Sequence, residues 1–332
     1  MEYKAQGRII KGVGGLYFVE VSSSEAPEAI GKLLPCRARG KFRHSNISPL
    51  VGDNVSLVFN ERMLKSLDLL EKNEKNAVGE IMISEIIDRK SALIRPPLAN
   101  LDYMFISMAS ASPAPMLSTV DKLISIAEFN KIEPIIVIGK CELDRGAANE
   151  IAEIYQKAGF KVFIVSVFED EGVSELSSFI SANLAGKIAA FAGASGVGKS
   201  SLMNKLFPNL KLDTGEISKK IERGKNTTRH VELFSHGCEG GIGYIADTPG
   251  FSMLDFEHFD FFKKEDLPLT MREFDDYIGL CKYTKCSHTK EDGCAILEAV
   301  ARGDVAKSRH ESFIEMYEAL KNKPDWKKQG DR

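Results

Sequence analysis

Gly193-Ala194-Ser195-Gly196-Val197-Gly198-Lys199-Ser200 fits G-x-x-x-x-G-K-[ST], with Ser201 directly behind it. Backbone N–H groups of such a loop surround the phosphates of a nucleotide. Lys199 is placed to reach the β- and γ-phosphates, and the Ser200 hydroxyl to ligate Mg²⁺. Glycine is required because the chain must approach the phosphates with dihedrals closed to other residues. GKIAAFAG before the loop reads as a strand and SLMNKLF after it as a helix, which sets the loop at a helix N-terminus, where anions bind. The plainer alternative is a Gly-rich strand–helix turn that holds nothing.

A second constellation, Asp247-Thr248-Pro249-Gly250, follows the apolar run GIGYIA. An Asp at the end of such a strand holds Mg²⁺, usually through water, and Gly250 can offer its N–H to the γ-phosphate. Between the two motifs, Lys225-Asn226-Thr227-Thr228-Arg229 lies in a polar stretch that reads as a switch segment. Thr227 or Thr228 is a candidate Mg²⁺ ligand once a γ-phosphate is bound, and a solvated loop is the competing reading.

The base-reading element Asn-Lys-x-Asp should come after both motifs, and nothing beyond Gly250 supplies it. It has a counterpart upstream: the strand EPIIVIGK ends in Gly139-Lys140-Cys141-Glu142, and KVFIVSV ends at Ser166-Val167. These positions suit the two base-contacting loops of a GTPase. The order of parts is therefore base loops, phosphate loop, switch, DTPG, which is that of a circularly permuted GTPase. Permutation is tolerated because the termini of compact domains often lie close together at the surface.

With these parts in place, the sequence resembles the ribosome small-subunit-dependent GTPase A family of bacteria. The likeness covers nearly the whole chain. It is carried by GRIIKGVGGLYFVE, CRARGKFR…PLVGD, RPPLANLD, GASGVGKSSLMN, GKNTTRHVEL, ADTPGFS and a closing Cys/His cluster. The resemblance implies GTP hydrolysis coupled to late maturation of the 30S ribosomal subunit, with 16S rRNA and GTP/GDP as partners. It also implies an OB-type β-barrel and a zinc domain on either side of the GTPase. The expected organisation is an OB domain over 1–70, the permuted α/β GTPase over 71–264, and a helical zinc domain over 265–332.

The elements that must position these residues agree with that plan. The N-terminal stretch is rich in β-branched and aromatic residues broken by Gly turns, as expected of small strands. Strict alternation in Cys36-Arg37-Ala38-Arg39-Gly40-Lys41-Phe42-Arg43 predicts a strand with Arg37, Arg39, Lys41 and Arg43 on one face. Such a face can follow a phosphate backbone, or it can simply be the solvated outside of a barrel. The resemblance to an OB domain favours RNA. LEKNEKNAVGE separates the first two domains, and Pro96-Pro97 opens the second. LDYMFISMA reads as a buried strand, and STVDKLISIAEFN as a helix opened by Thr119-Val120-Asp121 with acidic charge at its start. Alternating strands and helices through DTPG predict a doubly wound, mainly parallel sheet.

Near the C-terminus, Cys281-x₄-Cys286-x-His288-x₅-Cys294 offers three thiolates and an imidazole, the closed tetrahedral set of one structural Zn²⁺. Cys36, Cys141 and Cys238 have no such neighbours and read as semi-buried packing residues. Phe313, Met316, Tyr317 and Leu320 recur at helical spacing and read as core, while Lys327 and Lys328 lie in a basic tail. The formal charge of −3 over 332 residues excludes a general polycation, so RNA contact must come from local patches. No apolar run reaches membrane-spanning length and no signal-peptide core opens the chain, which predicts a cytoplasmic location without membrane contact; a monomer is expected, though the sequence does not itself reveal oligomeric state.

Three residues depart from the GTPase pattern. Gly139 has no amide to tie the base loop to the phosphate loop, and Glu142 sets its carboxylate one methylene away from where aspartate would. Phe251 stands where Ras-like GTPases carry a water-orienting Gln, which predicts slow hydrolysis without a partner. Asn226 stands where relatives often have His. A P-loop ATPase with relaxed base choice and a non-hydrolysing rRNA-binding adaptor are the rival readings.

Overall fold

The computed structural model describes residues 2–40, 42, 47–61, 63, 81–94, 96–208, 210, 231–247 and 262–322. The chain gathers into two compact units. One comprises Met1–Asp102, Ile180–Ala190 and Gly215–Gly250; the other comprises Tyr103–Phe179, Phe191–Thr214 and Phe251–Arg332.

The first unit begins with β1 (Glu2–Val13) and β2 (Leu16–Ser24), a hairpin whose turn uses the positive φ of Gly14 and Gly15. β3 (Leu33–Ala38), β4 (Asn54–Asn60) and β5 (Met82–Ile86) follow. Antiparallel pairs β1–β2, β2–β3, β4–β5 and β1–β4 and the parallel pair β3–β5 close the order 1-2-3-5-4 into a five-stranded barrel. This is the OB-type arrangement. Alternate residues such as Ile9, Val19, Leu34, Val55, Leu57 and Ile83 fill it.

The strand predicted to continue to Arg43 stops short. β3 ends at Ala38, because its last partners are Leu16 on β2 (opposite Arg37) and Ile83 on β5 (opposite Ala38). Arg37 and Arg39 are both exposed, as the alternation requires, whereas Lys41 and Arg43 lie outside the described residues.

PLVGD and RPPLANLD prove to be two halves of one clasp. At Gly52 (φ +90°) a Cβ would stand 2.1 Å from the Ala99 carbonyl oxygen, so only glycine fits. The Ala99 N–H donates to the Val51 carbonyl (2.9 Å), and the Asn100 amide donates to the Gly52 carbonyl (3.0 Å). Asp53, fully buried, receives both Nε and Nη2 of Arg89 at 2.7 and 2.8 Å and the Leu50 N–H at 2.7 Å. The short strands β6 (Ala92–Leu93) and β7 (Leu98–Ala99) pair across a turn holding Pro96 and Pro97.

The same unit holds β12 (Glu232–Cys238) and β13 (Gly241–Asp247), an antiparallel hairpin. β13 runs parallel to the start of β11 (Ile188–Ala192). β12 joins the barrel through Lys11↔Glu232, whose side chains form a 2.9 Å ion pair. Tyr244 donates its hydroxyl to Glu20 at 2.6 Å, and the Arg8 guanidinium lies 4.8 Å above its ring. Burial, reinforced by Glu20, pushes the Tyr244 phenol up to about 12.

The second unit contains three parallel strands in the order β10 (Lys161–Ile164), β9 (Glu133–Gly139), β8 (Tyr103–Ala109). Their apolar runs are almost wholly buried, as expected of strands covered on both faces. α1 (Leu117–Phe129) links β8 to β9, and α2 (Arg145–Lys157) links β9 to β10. α2 starts where the Asp144 carboxylate accepts from the Ala147 N–H (2.9 Å), and it buries Ala148, Ile151, Ala152 and Tyr155 along one stripe. α3 (Val173–Asn183) and α4 (Lys199–Leu206) follow, then a C-terminal region with α5 (Ala295–Arg302) and α6 (Lys307–Lys321).

Asp121 does not act as acidic charge at the mouth of α1. It is fully buried and accepts from Arg309 Nη1 (2.6 Å) and from the Tyr155 hydroxyl (3.0 Å). Arg309, on α6, is itself fully buried and also donates from Nε to Glu273 (2.7 Å). Phe313 and Met316 are buried beside it as the helical spacing predicts, while Tyr317 and Leu320 are half-buried. Lys327 and Lys328 lie outside the described residues.

Candidate nucleotide site and metal centre

The phosphate loop leaves β11 at Gly193, whose φ of +134° and close approach to β8 exclude a side chain: a Cβ would lie 2.1 Å from the Ser107 carbonyl oxygen. Gly196 (φ +81°) and Gly198 (φ +96°) complete the turn, and α4 begins at Lys199. Ala194, Ser195, Val197, Ser200 and Ser201 lie on this loop and the first turn of the helix, with Val197 buried. The Lys199 ammonium donates to the carbonyls of Gly193 (2.8 Å) and Ala194 (2.7 Å), so it is held inside the curl of its own loop. Burial lowers its pKa to about 8. An anion entering the loop would restore the charge that burial opposes.

The base loop lies in the same unit. Lys140 adopts φ +57°, an uncommon conformation for a residue with a side chain. Its ammonium donates to the carbonyls of Ser112 (2.6 Å) and Gly196 (2.8 Å), and Ser110 Oγ donates to the Lys140 carbonyl (2.8 Å). The tie to the phosphate loop that Gly139 cannot make is therefore made by Lys140. A Cβ on Gly139 would come 3.4 Å from the Val197 carbonyl oxygen, so the two loops are in contact. Cys141 is buried, and its N–H donates to the Val165 carbonyl (3.3 Å), which brings the base loop beside Ser166 and Val167. Ser166, fully buried, pairs both ways with Glu171 and accepts on Oγ from the Glu169 N–H (3.0 Å).

Glu142 carries the informative detail. Its Oε2 is buried and has no hydrogen-bond partner. A carboxylate oxygen withdrawn from water without a donor is costly and calls for a ligand that brings one.

Asp247 ends β13, and the residue before it, Ala246, pairs with Ala190 on the strand that leads into the phosphate loop. Asn226, Thr227, Thr228, Gly250 and Phe251 lie outside the described residues.

Cys281, Cys286, His288 and Cys294 present four ligand atoms all within 4.8 Å of one another. Cys281 Sγ lies 3.9 Å from Cys294 Sγ, and His288 Nδ1 lies 3.5 and 3.6 Å from these two sulfurs. A tetrahedron with metal–sulfur bonds of about 2.3 Å has sulfur–sulfur edges of about 3.8 Å, so the set fits Zn²⁺. The supporting shell was not legible in the spacing. Glu291 accepts from the N–H groups of Ser287 (2.9 Å), Thr289 and Lys290 (both 3.2 Å). Burial opposes its charge, but the Ser287 hydroxyl first, then the Ser287 and Lys290 N–H groups, hold it down at about 2. The His310 ring donates from Nε2 to the His288 carbonyl (2.7 Å), fixing a ligand whose φ is +59°.

A phosphate loop after the base loops, with the Asp247 that opens DTPG ending β13, defines the class: a circularly permuted P-loop GTPase. Comparison with known proteins agrees. An RsgA GTPase model matches residues 86–257, and an RsgA N-terminal domain model matches residues 6–62. The small ribosomal subunit biogenesis GTPase RsgA of Caldanaerobacter subterraneus subsp. tengcongensis is 39% identical, covering 96% of this chain and 97% of its own. YjeQ from Thermotoga maritima superposes with a TM-score of 0.75 at 30% identity, covering 97% of this chain and all of its own. YloQ, a circularly permuted GTPase, gives 0.71 at 30% identity, covering 97% of this chain and 96% of its own. The chain belongs to the RsgA GTPase family and is a GTP-hydrolysing enzyme.

Proposed function

We propose that the chain hydrolyses GTP in the service of small ribosomal subunit assembly, slowly alone and faster on the 30S particle. The observation that carries the guanine reading is the unpartnered buried Oε2 of Glu142, in a loop that Lys140 ties to the phosphate loop. Guanine offers an adjacent pair of donors, N1–H and N2–H, to a carboxylate, and adenine has no such pair.

Lys199 leaves its two loop carbonyls for the β- and γ-phosphates, and the loop N–H groups neutralise the remaining oxygens. Ser200, Asp247 and Thr227 or Thr228 would hold Mg²⁺, which neutralises phosphate charge during transfer. Gly250 contacts the γ-phosphate, and its loss on hydrolysis releases the switch segment. Gly139, Cys141, Ser166 and Val167 shape the base side of the site. Cys281, Cys286, His288 and Cys294 would hold one Zn²⁺ in a structural role.

Support for a 16S rRNA contact comes from the exposed Arg37 and Arg39 at the end of a barrel strand. The domains run 1–70, 71–264 and 265–332, in a monomer that works in the cytoplasm; no described helix is long and apolar enough to cross a membrane.

Steady-state hydrolysis of GTP and ATP, each with and without purified 30S subunits, tests this reading. GTP turnover is expected to rise strongly with 30S, ATP to stay inert, and Lys199→Ala to abolish both rates. Equal ATP turnover would refute guanine reading, and indifference to 30S would refute the ribosomal role.

A further inference from the structure

Phe168 is the most exposed large apolar side chain among the described residues, at 87%. Its position is nevertheless tightly built. The reciprocal Ser166–Glu171 bonds (2.9 and 3.0 Å) close the loop Val167–Asp170, and the Ser166 Oγ bond to the Glu169 N–H locks its turn. An Arg145–Glu171 ion pair ties the loop to the start of α2, directly behind the base loop. A Lys205–Asp170 ion pair (3.1 Å) ties it to α4, the helix that follows the phosphate loop. The loop that carries this exposed ring is thus held between the element that carries Glu142 and the element that carries Lys199. β9 and β10 are neighbours in register, Ile138 opposite Ile164, so Glu142 and Phe168 both lie just past the C-terminal ends of adjacent parallel strands. In open α/β sheets that edge is where ligands sit.

We infer that Phe168 stacks on the face of the purine whose edge Glu142 reads. This rests on the base-loop reading above and adds to it a second, sequence-tolerant source of affinity. A carboxylate recognises the donors on one edge of the base, whereas an aromatic ring covers a π-face that every base possesses. The ring therefore contributes affinity for the nucleoside, and Glu142 contributes the choice of guanine.

The test is calorimetric titration of the full chain with Mg²⁺–GDP, Mg²⁺–ADP and Mg²⁺–pyrophosphate, the last a probe without a base. Phe168→Ala is expected to weaken GDP roughly tenfold or more, with pyrophosphate unchanged and Phe168→Tyr close to wild type. Phe168→Trp should show indole emission quenched by GDP and not by pyrophosphate. GDP affinity within twofold of wild type in Phe168→Ala, or equal weakening of GDP and pyrophosphate, would overturn the inference. Failure of the underlying reading looks different: the wild-type chain would then bind GDP and ADP alike, whatever occupies position 168.

Discussion

One methylene separates Glu142 from the aspartate of the usual base loop, and the structure shows where that extra length goes. The side chain folds inward until Oε2 is buried, and Lys140 supplies the anchorage that an Asn at 139 would otherwise give. Substituting Glu142→Ala removes the guanine-specific acceptor but leaves the phosphate loop intact. The expected result is a fall in the GDP-over-ADP preference of about tenfold or more, with Mg²⁺–pyrophosphate affinity unchanged. Competition titration against a fluorescent guanine nucleotide measures it, and an unaltered preference would remove Glu142 from base recognition.

At the scale of elements, the C-terminal region is pinned to α1 and α2 by buried charge. Arg309 meets Asp121 on α1 and Glu273 near α6, with Tyr155 of α2 completing the group. Arg309→Ala leaves two carboxylates buried without a cation and is expected to cost roughly 3–5 kcal/mol in denaturant unfolding. Replacing Arg309, Asp121 and Glu273 together by apolar residues of similar volume should recover much of that loss.

The β12–β13 hairpin offers a second handle through Tyr244. Burial, then Glu20, pushes its phenol up to about 12 from near 10 in the unfolded chain, so the folded state keeps the proton longer. Its contribution is full below pH 10 and is lost as pH rises toward about 12. The stability gap between wild type and Tyr244→Phe should therefore shrink across that window; a constant gap would show that the fold does not raise the phenol's pKa.

These elements also mark what the sequence displayed and what it hid. The glycines, Lys199 and the Cys/His spacing announce themselves because chemistry demands those residue types at those intervals. Asp121 looks like a solvated helix start, and nothing local reveals an arginine far down the chain. The Arg37–Arg43 alternation overstated β3 because pairing partners, not periodicity, decide where a strand ends.

At the scale of the molecule, the Cys/His cluster able to hold a metal and the buried charge group meet on one helix. His310 supports the ligand His288 and stands one residue from Arg309, so the metal loop and the buried charge group share α6. Chelation with a zinc-selective reagent should lower the melting temperature by several degrees and reduce helical circular dichroism, restored by Zn²⁺ and not by Mg²⁺. No change in either signal would mean that the four ligands hold no structural metal.

Arg309 and Asp121 lie 188 residues apart along the chain. Synthesis finishes β8, α1, β9, α2 and β10 early, and their neighbour contacts can form at once. Asp121, however, waits for its cation until α6, the last helix among the described residues, has been synthesised. A chain that ends before α6 therefore lacks the cation that Asp121 meets in the fold. Only a chain translated through α6 can form this pair, so it joins the fold after the contacts among β8, α1, β9, α2 and β10.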